Sequence, residues 1–213
     1  MMTDLELLSR YVERDDRAAV NELFARHYPS VYHTILKLVH HEAVARDLTQ
    51  DTFLKALKAA RSFEATGKFR NWILAIALNE VRQHWRSPRQ ARLPDDLETL
   101  FAEFRQERPD HGASRRELER ALESALEKLP EELKVPLVLH YYEQLSLTEI
   151  GDLLGMAKSG VQRRCETGLE RLRKTFLREG FAALLPLFVD SFKAASAVWM
   201  SDWPSEALRA AWL

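Results

Sequence analysis

The apolar residues of this chain fall at helical spacing almost everywhere. From Val20 they recur at Leu23, Phe24, Tyr28, Val31, Ile35 and Leu38, the pattern of a helix that buries one face. No run shows the sustained apolar–polar alternation of a half-buried strand, so the expected fold class is all-α. Pro29 falls inside the first pattern and is expected to kink it or divide it into two helices. A second helix is predicted over roughly Ala43 to Ala60, and a third from Phe69, just past Gly67, to Trp85. Pro88 and Pro94 in "SPRQARLPDD" then break the pattern, and a linker continues to about Gly112. Helices resume at Ser114, which forms a capping-box pair with Glu117. Pro130 suits an early helical turn, with Pro136 close behind, and "SLTE" at Ser146 to Glu149 is a second capping box. The last recognisable helix ends near Gly180. The expected organisation is two small helical domains, 1–90 and 115–180, joined by a flexible acidic linker, 91–114, with a short helical tail, 181–213.

Composition narrows the function. Hydrophobic residues make up 46% of 213, enough for a packed core, and the formal charge is −1. A stand-alone duplex binder is more often clearly basic. The average hides segregation. Lys68 to Arg92 carries Lys68, Arg70, Arg82, Arg86, Arg89 and Arg92 against Glu80 alone. Asp95, Asp96, Glu98, Glu103, Glu107 and Asp110 follow, against Arg105 and Arg108. Arg163 to Arg178 is basic again, with Glu166 and Glu170 as its acids. Cys165 is the single cysteine, so no intrachain disulfide forms, which fits a reducing, cytoplasmic setting. The charged start "MMTDLELLSRYVERDD" shows no signal peptide. The most apolar run, Phe181 to Met200, contains Pro186, Asp190 and Lys193, so no membrane insertion is expected.

The stretch "LSLTEIGDLLGMAKSGVQRR" has helix-turn-helix spacing. Ile150 and Leu154 face inward on the first helix, Gly151 sits where two helices cross, and Gly155 occupies a turn that tolerates positive φ. Met156 and Val161 pack the second helix on the first. That helix then presents Lys158, Ser159, Gln162, Arg163, Glu166 and Thr167 outward, where Arg and Gln can pair with guanine and adenine edges. Its basic continuation would supply phosphate contacts. Gly160 and Gly168 lie inside this helix, at about 1 kcal/mol each relative to alanine. Ala157 stands where a capping side chain would help, and Ser159 could cap a later start. A helical hairpin in some other all-α domain would show the same pattern.

The segment "GKFRNWILAIALNEVRQHWR" interleaves bases with aromatics. Phe69, Ile73, Ile76 and Val81 can form its core stripe. Arg70, Asn79, Arg82, Gln83 and Arg86 fall largely elsewhere, with Trp72 and Trp85 near the ends. Rings that stack on bases, beside arginines that hold phosphates, suit single-stranded nucleic acid. The alternative is that both tryptophans belong to the core.

In order and spacing these pieces resemble the bacterial RNA polymerase sigma factors of the sigma-70 superfamily, in the compact extracytoplasmic-function (ECF) group. "AVNELFARHYPSVYHTILKLV" resembles region 2.1, and "ARDLTQDTFLKALKAARSF" is similar to region 2.2. "GKFRNWILAIALNEVRQHWR" resembles regions 2.3 and 2.4. "ALEKLPEELKVPLVLHYYEQLSLTEIGDLLGMAKSGVQRRCETGLERLRK" resembles region 4. The likeness covers roughly residues 5 to 178. It implies a transcription initiation factor that binds core polymerase and directs it to promoters, reading −10 and −35 elements and assisting DNA melting. It also implies no catalytic activity and no cofactor. Core polymerase then supplies much of the binding, and the acidic average is no objection.

The resemblance further implies that Asp47, Gln50, Asp51, Phe53 and Leu54 dock on the polymerase β′ coiled coil, carboxylates steering and Phe53 and Leu54 anchoring. Lys68, Arg70, Trp72, Asn79, Arg82, Gln83, Trp85 and Arg86 would read the −10 element, with Trp72, Asn79 and Arg82 contributing to capture of an extruded base. Lys158, Ser159, Gln162, Arg163, Glu166 and Thr167 would read the −35 element, with Arg164 and Arg171 on phosphates or supporting the fold. Expected partners are core RNA polymerase (β′ and β subunits), promoter DNA, and an anti-sigma factor or the chain's own tail. The acidic linker either threads a basic RNA channel or is a solvated connector. The recognition helix departs from the usual Ser and Gly-Thr-Val start, reading Ala157-Lys158-Ser159-Gly160-Val161, and Cys165 replaces a Leu, so promoter preference does not transfer.

A stand-alone helix-turn-helix regulator would keep Lys158 to Arg173 but leave "DLTQDTF" unexplained. His40 and His41 with Asp47 lack the spacing of a metal site. The tail holds Phe181, Leu184, Leu185, Leu187, Phe188, Phe192, Trp199 and Trp203, too much apolar surface to leave in water. It is expected to pack against its own region 2 or region 4 as a modulator.

Overall fold

The structure, a computed structural model, describes residues 2–63, 68–86 and 122–178. The Ser114–Glu117 capping box, the linker 91–114 and the tail 181–213 lie outside the described residues.

The amino-terminal unit is four helices: α1 (Asp4–Arg14), α2 (Arg17–Val39), α3 (Glu42–Ala59) and α4 (Phe69–Arg86), with a 3₁₀ turn at Ala60–Ser62. Thr3 opens α1 with a capping box to Glu6, and Asp16 caps α2 through Ala18 and Ala19. His41 caps α3, its Nδ1 accepting from the Val44 N–H at 3.4 Å. Pro29 does not divide α2, which runs unbroken from Arg17 to Val39. The face foreseen on α2 is the buried one: Val20, Leu23, Phe24, Val31, Ile35 and Leu38 are in the core, and Tyr28 packs partly buried beside them. They meet Ala45, Phe53 and Ala56 of α3 and Ile73, Leu74, Ala77, Leu78 and Val81 of α4. Ile76 lies only partly buried beside the core, so the α4 stripe is wider and slightly rotated from the expected one.

The carboxy-terminal unit starts with a helical stretch at 122–127, followed by α5 (Glu131–Tyr141), α6 (Leu147–Leu154) and α7 (Lys158–Arg178). Pro130 is the N-cap of α5 rather than a residue within it. Every residue from Leu133 to Leu139 is buried. A helix buried all round needs cover on every side. Here α7 and α6 cover it from within the unit, and α2 covers it from the other unit. Lys134 is tolerated inside because its Nζ donates to the Glu127 carbonyl at 3.2 Å. Among the described residues no helix is long and apolar enough to cross a membrane.

Candidate polymerase and nucleic-acid interfaces

On α3 the buried and exposed stripes separate cleanly. Ala45, Thr49, Thr52, Phe53 and Ala56 face the core, and the two threonine hydroxyls are satisfied by donating to the Ala45 and Leu48 carbonyls at 2.6 and 2.7 Å. Asp47, Gln50, Asp51 and Leu54 are all exposed. Spaced three and four apart, they share one face. Leu54 is 38% exposed, an apolar side chain one turn from both Asp51 and Lys58. Phe53 corrects the sequence reading. It is fully buried, with its ring 4.7 Å from Phe24 and 5.7 Å from Tyr28, and holds α3 onto α2 instead of reaching outward.

Along α4 the single acid is neutralised internally: Glu80 is buried and accepts from Lys55 at 2.5 Å. The outer face is therefore cationic. Asn79, Gln83 and Arg86 are exposed, and Arg82 and Trp85 are partly so. Trp72 is neither a free stacking platform nor a closed core residue. Its ring packs 5.0 Å from Phe63 and 5.4 Å from Phe69, and the residue stays partly accessible. At the start of the helix Lys68 is exposed and Arg70 half-buried, and both reach acids of the other unit. Lys68 pairs with Glu149 at 2.7 Å and Arg70 with Glu143 at 2.6 Å.

The helix-turn-helix has the expected local chemistry. Ser146 and Glu149 form a reciprocal capping box at the start of α6. Gly155 takes φ +66 at its end. A Cβ on Gly151 would lie 2.6 Å from the Met156 carbonyl oxygen, so the two helices cross where only glycine fits. The Val161 N–H bonds to the Ala157 carbonyl at 3.1 Å, so α7 opens at Lys158 without a side-chain cap and Ser159 lies inside it. Val161, Cys165 and Leu172 face the core. Burial, and then neighbouring Glu166, push the Cys165 thiol up to about 11, which leaves it an inert packing group. On the opposite face Lys158, Ser159, Gln162, Arg163, Glu166, Thr167 and Arg171 are exposed, and Arg164 is half-buried. Gln162 donates to Glu166 at 2.9 Å. Gly168 is a close-approach position that the sequence reading missed. A Cβ there would meet the Leu137 Cδ1 atom of α5 at 2.6 Å. Among the described residues no cluster of three His, Cys, Asp or Glu could hold a metal ion.

Fold and surfaces together define an all-α helix-turn-helix protein with two outward cationic helices and one acidic, leucine-bearing stripe. Residues 23–91 match the family model of Sigma-70 region 2, and residues 119–172 that of Sigma-70, region 4. The chain is 30% identical over 194 residues to the RNA polymerase sigma-H factor of Pseudomonas aeruginosa, covering 86% of this chain and 95% of that protein. It is 33% identical over 156 residues to the RNA polymerase sigma factor CarQ of Myxococcus xanthus, covering 73% and 88%. The solved structure of CnrH with the cytosolic domain of CnrY is similar at a TM-score of 0.60 and 25% identity, covering 79% of this chain and 94% of that one. RpoE of Bartonella quintana, solved with the anti-sigma factor NepR, shares the fold at a TM-score of 0.57 and 20% identity, covering 73% and 94%.

The chain belongs to the sigma-70 family of sigma factors, in its ECF group. It acts in transcription initiation, binding core RNA polymerase and promoter DNA.

Proposed function

We propose that three separate faces divide the work. The α3 stripe of Asp47, Gln50, Asp51 and Leu54 docks on core polymerase. Leu54 provides the desolvated anchor, and the carboxylates set orientation against a basic partner surface. The α4 face of Lys68, Arg70, Trp72, Asn79, Arg82, Gln83, Trp85 and Arg86 binds the −10 element, cations on phosphates and Trp72 against an unstacked base. The α7 face reads the −35 element. Gln162, Arg163, Glu166 and Thr167 lie towards base edges, with Lys158, Ser159, Arg164 and Arg171 towards the backbone. In this reading residues 1–90 and 115–180 are the two binding domains, 91–114 is a connector and 181–213 is regulatory.

The observation that carries the proposal is the separation of stripes. On α3, α4 and α7 most of these residues lie on the side opposite the buried stripe, at helical spacing. An anti-sigma factor is a further proposed partner, since the similar CnrH and RpoE were solved with CnrY and NepR bound. The test is a run-off transcription assay with core enzyme on genomic fragments. It should yield discrete start sites that Arg163→Ala redistributes. Activity without any sequence preference would refute the assignment of α7.

A further inference from the structure

One contact on the reading face of α7 constrains a candidate base reader. Gln162 and Glu166 are both exposed and lie four residues apart, on one face of the helix. The Gln162 Nε2 donates to a Glu166 carboxylate oxygen at 2.9 Å. Each follows a core residue, Gln162 after Val161 and Glu166 after Cys165, so the backbone that carries the pair is held by the packed side of the helix. Gly168, two residues further on, brings that side close against Leu137. The carboxylate has other neighbours at helical spacing. Arg163, three residues earlier, makes no ion pair among the described residues, and Glu170, one turn later, is paired with Lys174 at 3.4 Å. Glu166 is therefore engaged by the glutamine, and Arg163 is left to the groove.

What this leaves to Gln162 follows from its donors and acceptors. A glutamine amide carries one carbonyl oxygen and two N–H donors, whereas a carboxylate only accepts. The amide must therefore turn its nitrogen towards Glu166. One N–H is spent there. The other N–H and the carbonyl oxygen remain side by side, in an order that cannot reverse without breaking the bond to Glu166. A donor beside an acceptor matches adenine in the major groove, which offers the N7 acceptor and the N6 donor. Guanine offers two acceptors, N7 and O6, and the carbonyl oxygen of a fixed amide would face one of them. A glutamine released from Glu166 can turn both its N–H groups towards guanine, and the discrimination weakens. A carboxylate on this face could instead accept from cytosine N4 itself. That role requires Glu166 to let go of Gln162.

We propose that Glu166 is a positioning residue, which fixes Gln162 as the reader of an adenine in the −35 element and reads no base of its own. The inference rests on α7 being the −35 reader.

The test is transcription by the full chain with core enzyme from a promoter recovered on genomic fragments, each −35 base pair being varied singly through all four. Gln162→Ala first identifies the base pair that Gln162 reads. There the parent should favour adenine over guanine by about 5-fold or more, the low end for a bidentate contact, and the variant should lose that preference. Glu166→Ala should reduce it to below about 2-fold at that same base pair and alter no other. In the Gln162→Ala background, Glu166→Ala should change nothing further there, because the two residues act as one unit. Both side chains are exposed, so the melting temperatures should stay at the parent's. A change at a different base pair in Glu166→Ala would mean that Glu166 reads a base itself, and overturns the inference. So does a uniform change across all −35 variants, the mark of a surface charge alone, and so does a preference for a base other than adenine at the position of Gln162. If Gln162→Ala leaves every base preference as it was, the assignment of α7 fails instead, and this inference falls with it.

Discussion

Gly151→Ala opposes two effects that the structure allows to be weighed. Gly151 lies within α6, and replacing an interior helical glycine by alanine ordinarily stabilises by about 1 kcal/mol. Here the new methyl would sit 2.6 Å from the Met156 carbonyl oxygen. That oxygen is backbone, in the turn that starts α7. The Met156 N–H bonds to the Gly151 carbonyl at 2.9 Å, so the turn cannot withdraw without breaking it. Overpacking costs roughly 1–3 kcal/mol where neighbours can yield, and backbone yields least. The upper part of that range applies, and a net loss of about 1–2 kcal/mol is expected after the propensity gain. For a unit of this size each kcal/mol corresponds to roughly 4–8 °C in Tm. The unit-specific assay is hydrogen exchange of α6 and α7 amides, with thermal melting of the full chain beside it. Gly155→Ala is the control. At φ +66 with open space around it, it should lose about 1 kcal/mol through backbone strain alone. A Gly151→Ala protein as stable as the parent would show that the crossing is looser than the structure indicates.

Three other outcomes are expected. Asp51→Arg with Leu54→Ala should abolish co-elution with core polymerase while leaving helicity intact, since both positions are exposed; Phe53→Ala should instead destabilise region 2 by about 3–5 kcal/mol, as a fully buried ring. Arg163→Ala should relax preference at one −35 position at roughly 1–3 kcal/mol, whereas Arg171→Ala should weaken all promoter variants alike in a transcription series. Acid should loosen the packing around His40, whose Nε2 is buried without a hydrogen-bond partner and whose pKa is lowered to about 4 by burial and then by Lys134 and Lys37. The unfolded chain takes up that proton first, so stability is full above about pH 6.5 and falls as pH drops towards 4, by at most about 3 kcal/mol and less after solvent screening. His40→Asn, which tolerates the left-handed backbone there, should flatten that part of the urea-midpoint profile.

What the sequence displays and what it hides follow from the range of each interaction. Local features were readable: the α2 face, the Ser146–Glu149 box, and the Gly151 and Gly155 positions depend on residues a few steps apart. The error at Phe53 came from weighing residue type over position. Phe53 lies four residues after Thr49 and three before Ala56, on the stripe that starts at Ala45. Small residues and back-bonded threonines mark that stripe as core as surely as leucines would. Gly168 was read as a weakness of α7 because its partner, Leu137, lies a full helix away in sequence. The unbroken buried run from Leu133 to Leu139 was the one visible sign that α5 needs cover from outside its own unit. Periodicity along one helix cannot say which distant surface provides that cover. Nor could it single out Glu143: an acid in a turn normally belongs to water, and its Ser30, Thr34 and Arg70 partners are 113, 109 and 73 residues away. Such a carboxylate is tolerated out of water because three donors, two on α2 and one on α4, satisfy it. The contact between the units is therefore of two kinds, polar at Glu143 and apolar where α2 covers the buried run of α5, and only the second announces itself in the sequence.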